Sequence, residues 1–312
     1  MARRPSPNFA VSSPVVSPPV PQRFVALNLL LALRPTQWTK NLVIFAALIF
    51  GERLFDARAV ARATGTFVAF CALSGVIYLV NDIVDREQDR WHPIKRTRPI
   101  ASGALTTRTA LMAALVIGSL ALGWSFWISA RLGTVAFSYV ALLTIYSFFL
   151  KQVVILDVLT IAIGFALRAV AGGVAIAVPI SEWLLVCTIL LALFLGLSKR
   201  RHELLLLAED ATDYRPTLED YTPYLLDQMI GIVTASTVMS YILYVTDAGT
   251  TARFGTSWLG LTIPLPLYGI FRYLYLVHRK GGGTPPDLLL TDRPLLACVA
   301  IWALAVVFII YR

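Results

Sequence analysis

Nine apolar stretches, each 16 to 26 residues long and bounded by charged or turn-forming residues, follow one another along this 312-residue chain, at about 36–51, 59–81, 108–128, 132–150, 153–178, 182–198, 224–246, 257–277 and 294–311. A helix needs about 20 apolar residues to cross the hydrocarbon core of a bilayer, and only helices and closed barrels satisfy their backbone there. Such a series predicts an all-α polytopic membrane bundle of nine transmembrane helices. Composition agrees: 57% of residues are hydrophobic and 14% charged, against the quarter or so charged in a soluble domain. A soluble enzyme, a disordered chain and a disulfide scaffold are excluded. Cys71, Cys187 and Cys298 each sit in an apolar run with no CxxC pair, so they read as packing residues.

Residues 1–23 hold six of the 17 prolines and no helical period. They read as a disordered Pro/Ser-rich tail, and no apolar run follows Arg3-Arg4 to make a signal peptide. Residues 24–34 are too short to span and predict an interfacial helix; residues 24–312 then form a single transmembrane domain. With the N-terminus on the cytoplasmic side, Lys and Arg fall eighteen to that side and six to the other, with Lys40, Arg168 and Arg272 inside spans. The positive-inside rule supports this topology in a cell (inner) membrane. The net charge of +9 then reports orientation and anionic headgroups, not nucleic acid.

The two longest loops, 82–107 and 199–223, share the cytoplasmic side. The first continues span 2 as Asn81-Asp82-Ile83-Val84-Asp85-Arg86-Glu87-Gln88-Asp89. Helical spacing places Asn81, Asp85 and Asp89 on one stripe, and Asp82 can join it. Like charges at a membrane boundary are costly unless something cationic offsets them. Carboxylates plus substrate phosphates are the usual magnesium arrangement, which makes Asn81, Asp82, Asp85 and Asp89 candidate metal ligands. A stiff basic loop follows, His92-Pro93-Ile94-Lys95-Arg96-Thr97-Arg98-Pro99, whose Lys95 and Arg98 suit an anionic phosphorylated ligand. His92 by itself gives no metal-ligand spacing.

Further along, Tyr146 and Lys151 end span 4, and Asp157 and Arg168 lie three helical turns apart in span 5, about 16 Å and too far to pair. An Arg inside a span costs several kcal/mol unless it faces a cavity or a partner, so Arg168 is a functional candidate. Span 6 ends in Ser198-Lys199-Arg200-Arg201-His202-Glu203. Asp220-Tyr221 before span 7 can reach the site, although interfacial tyrosines are ordinary anchors. Gly281-Gly282-Gly283 lacks the Lys-Ser/Thr of a phosphate loop and reads as a turn.

NDIVDREQD followed by HPIKRTRPIASG resembles the NDxxDxxxD signature of the UbiA superfamily of intramembrane prenyltransferases. The resemblance implies nine spans and a central cavity facing the cytoplasm, with Asn81, Asp85 and Asp89 holding magnesium on a substrate diphosphate and Asp82 assisting. The chain departs from the common pattern after span 6. Lys199, Arg200 and Arg201 stand where a second acidic motif is expected, and Glu203 is the lone carboxylate. With YSxxLKxxxxLD (Tyr146, Lys151, Asp157), GFxLRxxAG (Arg168) and GLxKRRxEL, the chain is similar to the decaprenyl-phosphate phosphoribosyltransferase branch. That branch moves 5-phosphoribose from phosphoribosyl diphosphate to a polyprenyl phosphate and releases diphosphate, for cell-wall arabinan precursors. The resemblance then implies Asp85, Asp89 and Asp157 as catalytic candidates. Lys40, Lys95, Arg98, Tyr146, Lys151, Arg168, Lys199, Arg200, Arg201 and Glu203 would be substrate-binding. The alternatives are a prenyltransferase acting on an aromatic acceptor and, from another class, a transporter or flippase. A homo-oligomer is left open.

Overall fold

Apolar segments of bilayer length become helices because a backbone in lipid must bond to itself. The computed structural model describes residues 25–92, 94–207, 218, 220–279 and 291–312. The proline-rich segment 1–23, Arg215 and Gly281–Gly283 lie outside the described residues. Among the described residues the regular structure is entirely helical. A short α1 (Val25–Ala32) leads into a 3₁₀ segment (Pro35–Phe45) that continues as α2 (Ala46–Phe50). Then come α3 (Ala57–Val84), α4 (Arg86–Trp91), α5 (Thr107–Ile128), α6 (Ala130–Phe148), α7 (Leu156–Ala175) and α8 (Glu182–Leu207). They are followed by α9 (Pro223–Thr246), α10 (Ala248–Phe254), a 3₁₀ turn (Trp258–Thr262) into α11 (Pro264–Arg279), and α12 (Arg293–Tyr311).

Eight of these segments are long and apolar enough to cross a membrane. The ninth expected span, the first, is shorter in residues and partly 3₁₀ in form. At about 2.0 Å per 3₁₀ residue and 1.5 Å per α residue, residues 35–50 still reach about 30 Å, the thickness of the hydrocarbon core. Helix starts follow their capping residues: Asp56, Thr106, Ser129, Thr222 and Asp292 each accept a bond from the backbone of the first turn. Those bonds, chiefly from Ala59 N–H, hold the Asp56 carboxyl below the usual carboxylate range.

Successive helices from α5 to α9 pack as neighbours, α3 packs on α5, and the 3₁₀ segment lies between α3 and α7. One core joins Ile44, Phe70, Leu73, Leu132, Tyr139 and Ala171; another joins Val158, Phe194, Leu226, Tyr273 and Leu295. Outward faces stay apolar, as at Leu115, Leu120 and Trp127 of α5, which suits lipid contact. The last helix meets the first span, where Tyr311 Oη donates to Leu48 O (2.9 Å) and accepts from Leu54 N–H (3.0 Å). The first span comes close to α7 at Gly172, where a Cβ would stand 2.2 Å from the Ile44 carbonyl oxygen. Backbone cannot yield as a side chain does, so Gly172→Ala is expected to destabilise the protein by about 1–3 kcal/mol. A lowered unfolding temperature in detergent is the readout; an unchanged midpoint would show that the first span can back away.

Candidate active site

The charged residues gather at the end of the bundle where α3, α6 and α8 finish and α7 and α9 begin. The helix of span 2 bends at Asp85, which ends α3 and starts α4 with φ −87° and ψ 4°, although the bonds Asp85 N→Asn81 O and Asp89 N→Asp85 O continue across the bend. The four side chains predicted as one stripe therefore stand in two pairs. Asp82 and Asp89, two turns apart and both buried, share Arg98: its Nη1 lies 3.1 Å from Asp82 Oδ1 and 2.6 Å from Asp89 Oδ2. Arg34 adds a second contact to Asp82 Oδ1 at 2.5 Å while stacking over the Tyr78 ring. Asp85 turns the other way, accepting from Asn81 Nδ2 (2.9 Å) and from Lys151 Nζ.

A second cluster ties α7, α8 and the start of α9. Asp157, fully buried, accepts from Arg200 Nε (2.7 Å) and from Tyr221 Oη (3.0 Å). Burial pushes the Tyr221 phenol up to about 12, so it stays a donor. Tyr221 also accepts the N–H of Ile155 (2.8 Å), whose φ of 69° is a strained conformation for a β-branched residue. That bond holds the turn which aims Asp157 inward. Arg200 Nη1 reaches Glu203 (2.5 Å), Lys199 Nζ lies 3.6 Å from Glu203, and Arg201 pairs with Asp227 (2.5 Å). Tyr146 is half-buried near the end of α6. In the basic loop His92 is buried and Lys95 is half-buried. Burial, with Lys95 beside it, sets the His92 imidazole below its ordinary value, and its Nδ1 accepts from Ile94 N–H and Lys95 N–H.

Arg168 sits deeper, 6% exposed. Its Nε donates to Asn41 Oδ1 (2.7 Å) and its Nη2 to Tyr139 Oη (2.6 Å), while Ser74 Oγ donates to Asn41 Oδ1 (3.2 Å) and lies 3.1 Å from Tyr139 Oη. As the spacing predicted, Asp157 and Arg168 do not pair. Beyond these clusters an apolar cavity of about 420 Å³ opens between the first span, α8, α9, α11 and α12, lined among others by Val43, Phe50, Leu191, Tyr241, Ile270 and Trp302.

The side-chain oxygens of Asn81, Asp82, Asp85 and Asp89 are hard donors of the type magnesium takes. Among the described residues no three His, Cys, Asp or Glu side chains converge on one point. The donor set therefore fits an ion held by one or two carboxylates and completed by phosphate oxygens, with Arg98 and Lys151 lying against the same carboxylates. Sequence reasoning placed Arg34 only as a topological charge and passed over Asn41 and Tyr139. The signals were Arg34 standing against Pro35 and a lone Asn inside an apolar run.

An all-helical membrane bundle with its acids and cations facing each other at one end is the class the fold and site define. The profile of the UbiA prenyltransferase family matches residues 41–291, and the chain belongs to that family. It is 34% identical over 295 residues to the decaprenyl-phosphate phosphoribosyltransferase of Corynebacterium glutamicum, covering 93% of this chain and 89% of the relative. It is 33% identical over 303 residues to that of Mycolicibacterium smegmatis, covering 93% and 94%. In fold it is similar to a UbiA homolog from Archaeoglobus fulgidus bound to GPP and Mg2+, with a TM-score of 0.69, 18% identity, and coverage of 91% of this chain and all of that one.

Proposed function

We propose that this membrane enzyme transfers 5-phosphoribose from phosphoribosyl diphosphate to a polyprenyl phosphate and releases diphosphate. The observation that carries the reading is the pairing of one acidic cluster with a basic one. Asp82, Asp85 and Asp89 offer a single diphosphate site. At the end of α8, where a second metal-binding acid cluster would serve a prenyl diphosphate clamp, Glu203 is engaged by Lys199 and Arg200. The decaprenyl-phosphate phosphoribosyltransferases that the chain resembles support the substrates. The Lys and Arg bias supports a site that faces the cytoplasm in the inner membrane.

Asn81, Asp85 and Asp89, with Asp82 beside them, would hold magnesium. Bound there, the ion supplies charge neutralisation for the departing diphosphate. The chain's own groups do the rest. Arg34, Arg98 and Lys151, now resting on the carboxylates, are free to turn to phosphate oxygens when substrate arrives, so the site loses no charge balance on binding. Lys40, Lys95, Arg168, Lys199, Arg200 and Arg201 surround the anions, and Tyr146 and Asp157 hold the Arg200 side of the site. A phosphate oxygen of the lipid attacks ribose C1, the bond from C1 to the diphosphate oxygen breaks, and the electron pair leaves with diphosphate. The attacking phosphate is ionised at neutral pH, so no strong base is required. The apolar cavity supplies a dry wall for the isoprenoid tail.

Purified protein given ribose-labelled phosphoribosyl diphosphate and polyprenyl phosphate is expected to move label into the organic phase, with EDTA reducing transfer at least about a hundredfold and magnesium restoring it. Label that stays in water while a prenyl diphosphate alkylates an aromatic acceptor would select the alternative.

A further inference from the structure

Several buried or half-buried cations in the bundle have a carboxylate partner: Arg34 has Asp82, Arg98 has Asp82 and Asp89, Lys151 has Asp85, and Arg200 has Asp157 and Glu203. Lys40 and Arg168 do not, among the described residues. The bonds of Arg168 go to the neutral oxygens of Asn41 and Tyr139, its ring contacts are Tyr139 and Phe165, and its Nη1 takes part in none of these bonds. Lys40 directly precedes Asn41, the residue whose side chain accepts from Arg168. Positive charge inside a membrane bundle with only neutral acceptors beside it is costly, and an anionic ligand is what relieves it.

The backbone says which anion. In a 3₁₀ helix residues three apart eclipse one another, so Pro35–Phe45 presents three columns in place of a helical stripe. Asn41, Ile44 and Ala47 form the buried column against α3 and α7; Thr39 and Leu42 are exposed. Lys40, Val43 and Ala46 form the third, half-buried throughout, and Val43 and Ala46 line the apolar cavity. Lys40 shares that column one turn, about 6 Å along the axis, before the cavity-lining Val43. A cation at the head of an apolar chamber matches an amphiphile with an anionic head and a hydrocarbon tail.

We infer that Lys40, backed by Arg168, is the seat of the acceptor's phosphate head group, with the isoprenoid tail running down the Val43–Ala46 column into the cavity. The inference rests on the function proposed above and adds which phosphate these cations take: the lipid's, not either phosphate of the ribosyl donor.

The test compares binding of a polyprenyl phosphate with that of the matching polyprenol, which shares the tail and lacks the charge, in purified full-length protein. Wild type is expected to favour the phosphate by about thirtyfold or more. Lys40→Met should bring the two ligands within about threefold, Lys40→Arg should keep most of the preference, and affinity for phosphoribosyl diphosphate with magnesium should stay within about twofold in both. A phosphate preference unchanged in Lys40→Met, or a loss that falls on the ribosyl donor instead, overturns the assignment. Ribose transfer by wild type alongside a Lys40-independent preference sinks this site and leaves the function standing. A Lys40-dependent preference in a protein that transfers no ribose does the reverse.

Discussion

An Asp85→Asn enzyme is expected to fold and insert normally yet turn over about a thousandfold more slowly, the scale of losing one electrostatic contact made to charge that develops in the transition state. The substitution preserves shape and removes one negative charge. Asp85 is the carboxylate of the cluster that accepts from both Asn81 and Lys151, and it sits at the bend where α3 becomes α4. With an amide there, the site keeps its cations and loses part of the negative charge that binds a divalent ion beside the diphosphate. Label transfer to lipid measures turnover, and the detergent unfolding midpoint, expected within about 2 °C of wild type, reports folding. Turnover within tenfold of wild type would remove Asp85 from the donor site.

The largest stability effect is expected at Asp157. Arg200 is 2% exposed and Asp157 is fully buried, so truncating the acid leaves a guanidinium inside the bundle with Glu203 as its remaining carboxylate. Removing one partner of a buried pair typically costs about 3–5 kcal/mol. Asp157→Ala should therefore lower the unfolding midpoint by roughly 10 °C, if a domain of this size loses about 2–4 °C per kcal/mol. The strained turn at Ile155 loosens as well, since Tyr221 loses the acceptor that orients its hydroxyl. Pairing Asp157→Leu with Arg200→Met removes both charges and should recover most of the midpoint, because well-packed apolar replacements of buried ion pairs are often neutral. Activity should not return with it. A single variant as stable as wild type would show that water reaches Arg200.

The helices were legible because hydropathy over 20 residues is a property of the segment alone, and caps such as Asp56 and Thr222 mark their starts locally. The costly intramembrane charges at Lys40 and Arg168 were legible for the same reason: their expense does not depend on a partner. Pairing was not legible. Arg34 meets Asp82 across 48 residues and Lys151 meets Asp85 across 66, and no periodicity encodes which helix end faces which. The acid stripe at Asn81, Asp82, Asp85 and Asp89 was read from helical spacing, which does not say that Arg98 takes Asp82 and Asp89, Arg34 takes Asp82 and Lys151 takes Asp85. The first span's 3₁₀ form was hidden too, since its residues, PTQWTKNLVIF, carry no local signal for that geometry. Its packing between α3 and α7, close against Gly172, is a property of the assembled bundle.

A run of eleven 3₁₀ residues has poorly aligned hydrogen bonds and does not persist unaided. Pro35–Phe45 holds that form only while α3 and α7 flank it. The shape of this early segment therefore depends on α7, a helix that begins more than a hundred residues further along the chain. A change that loosens α7 is then felt at Lys40, which sits in the segment whose form α7 supports.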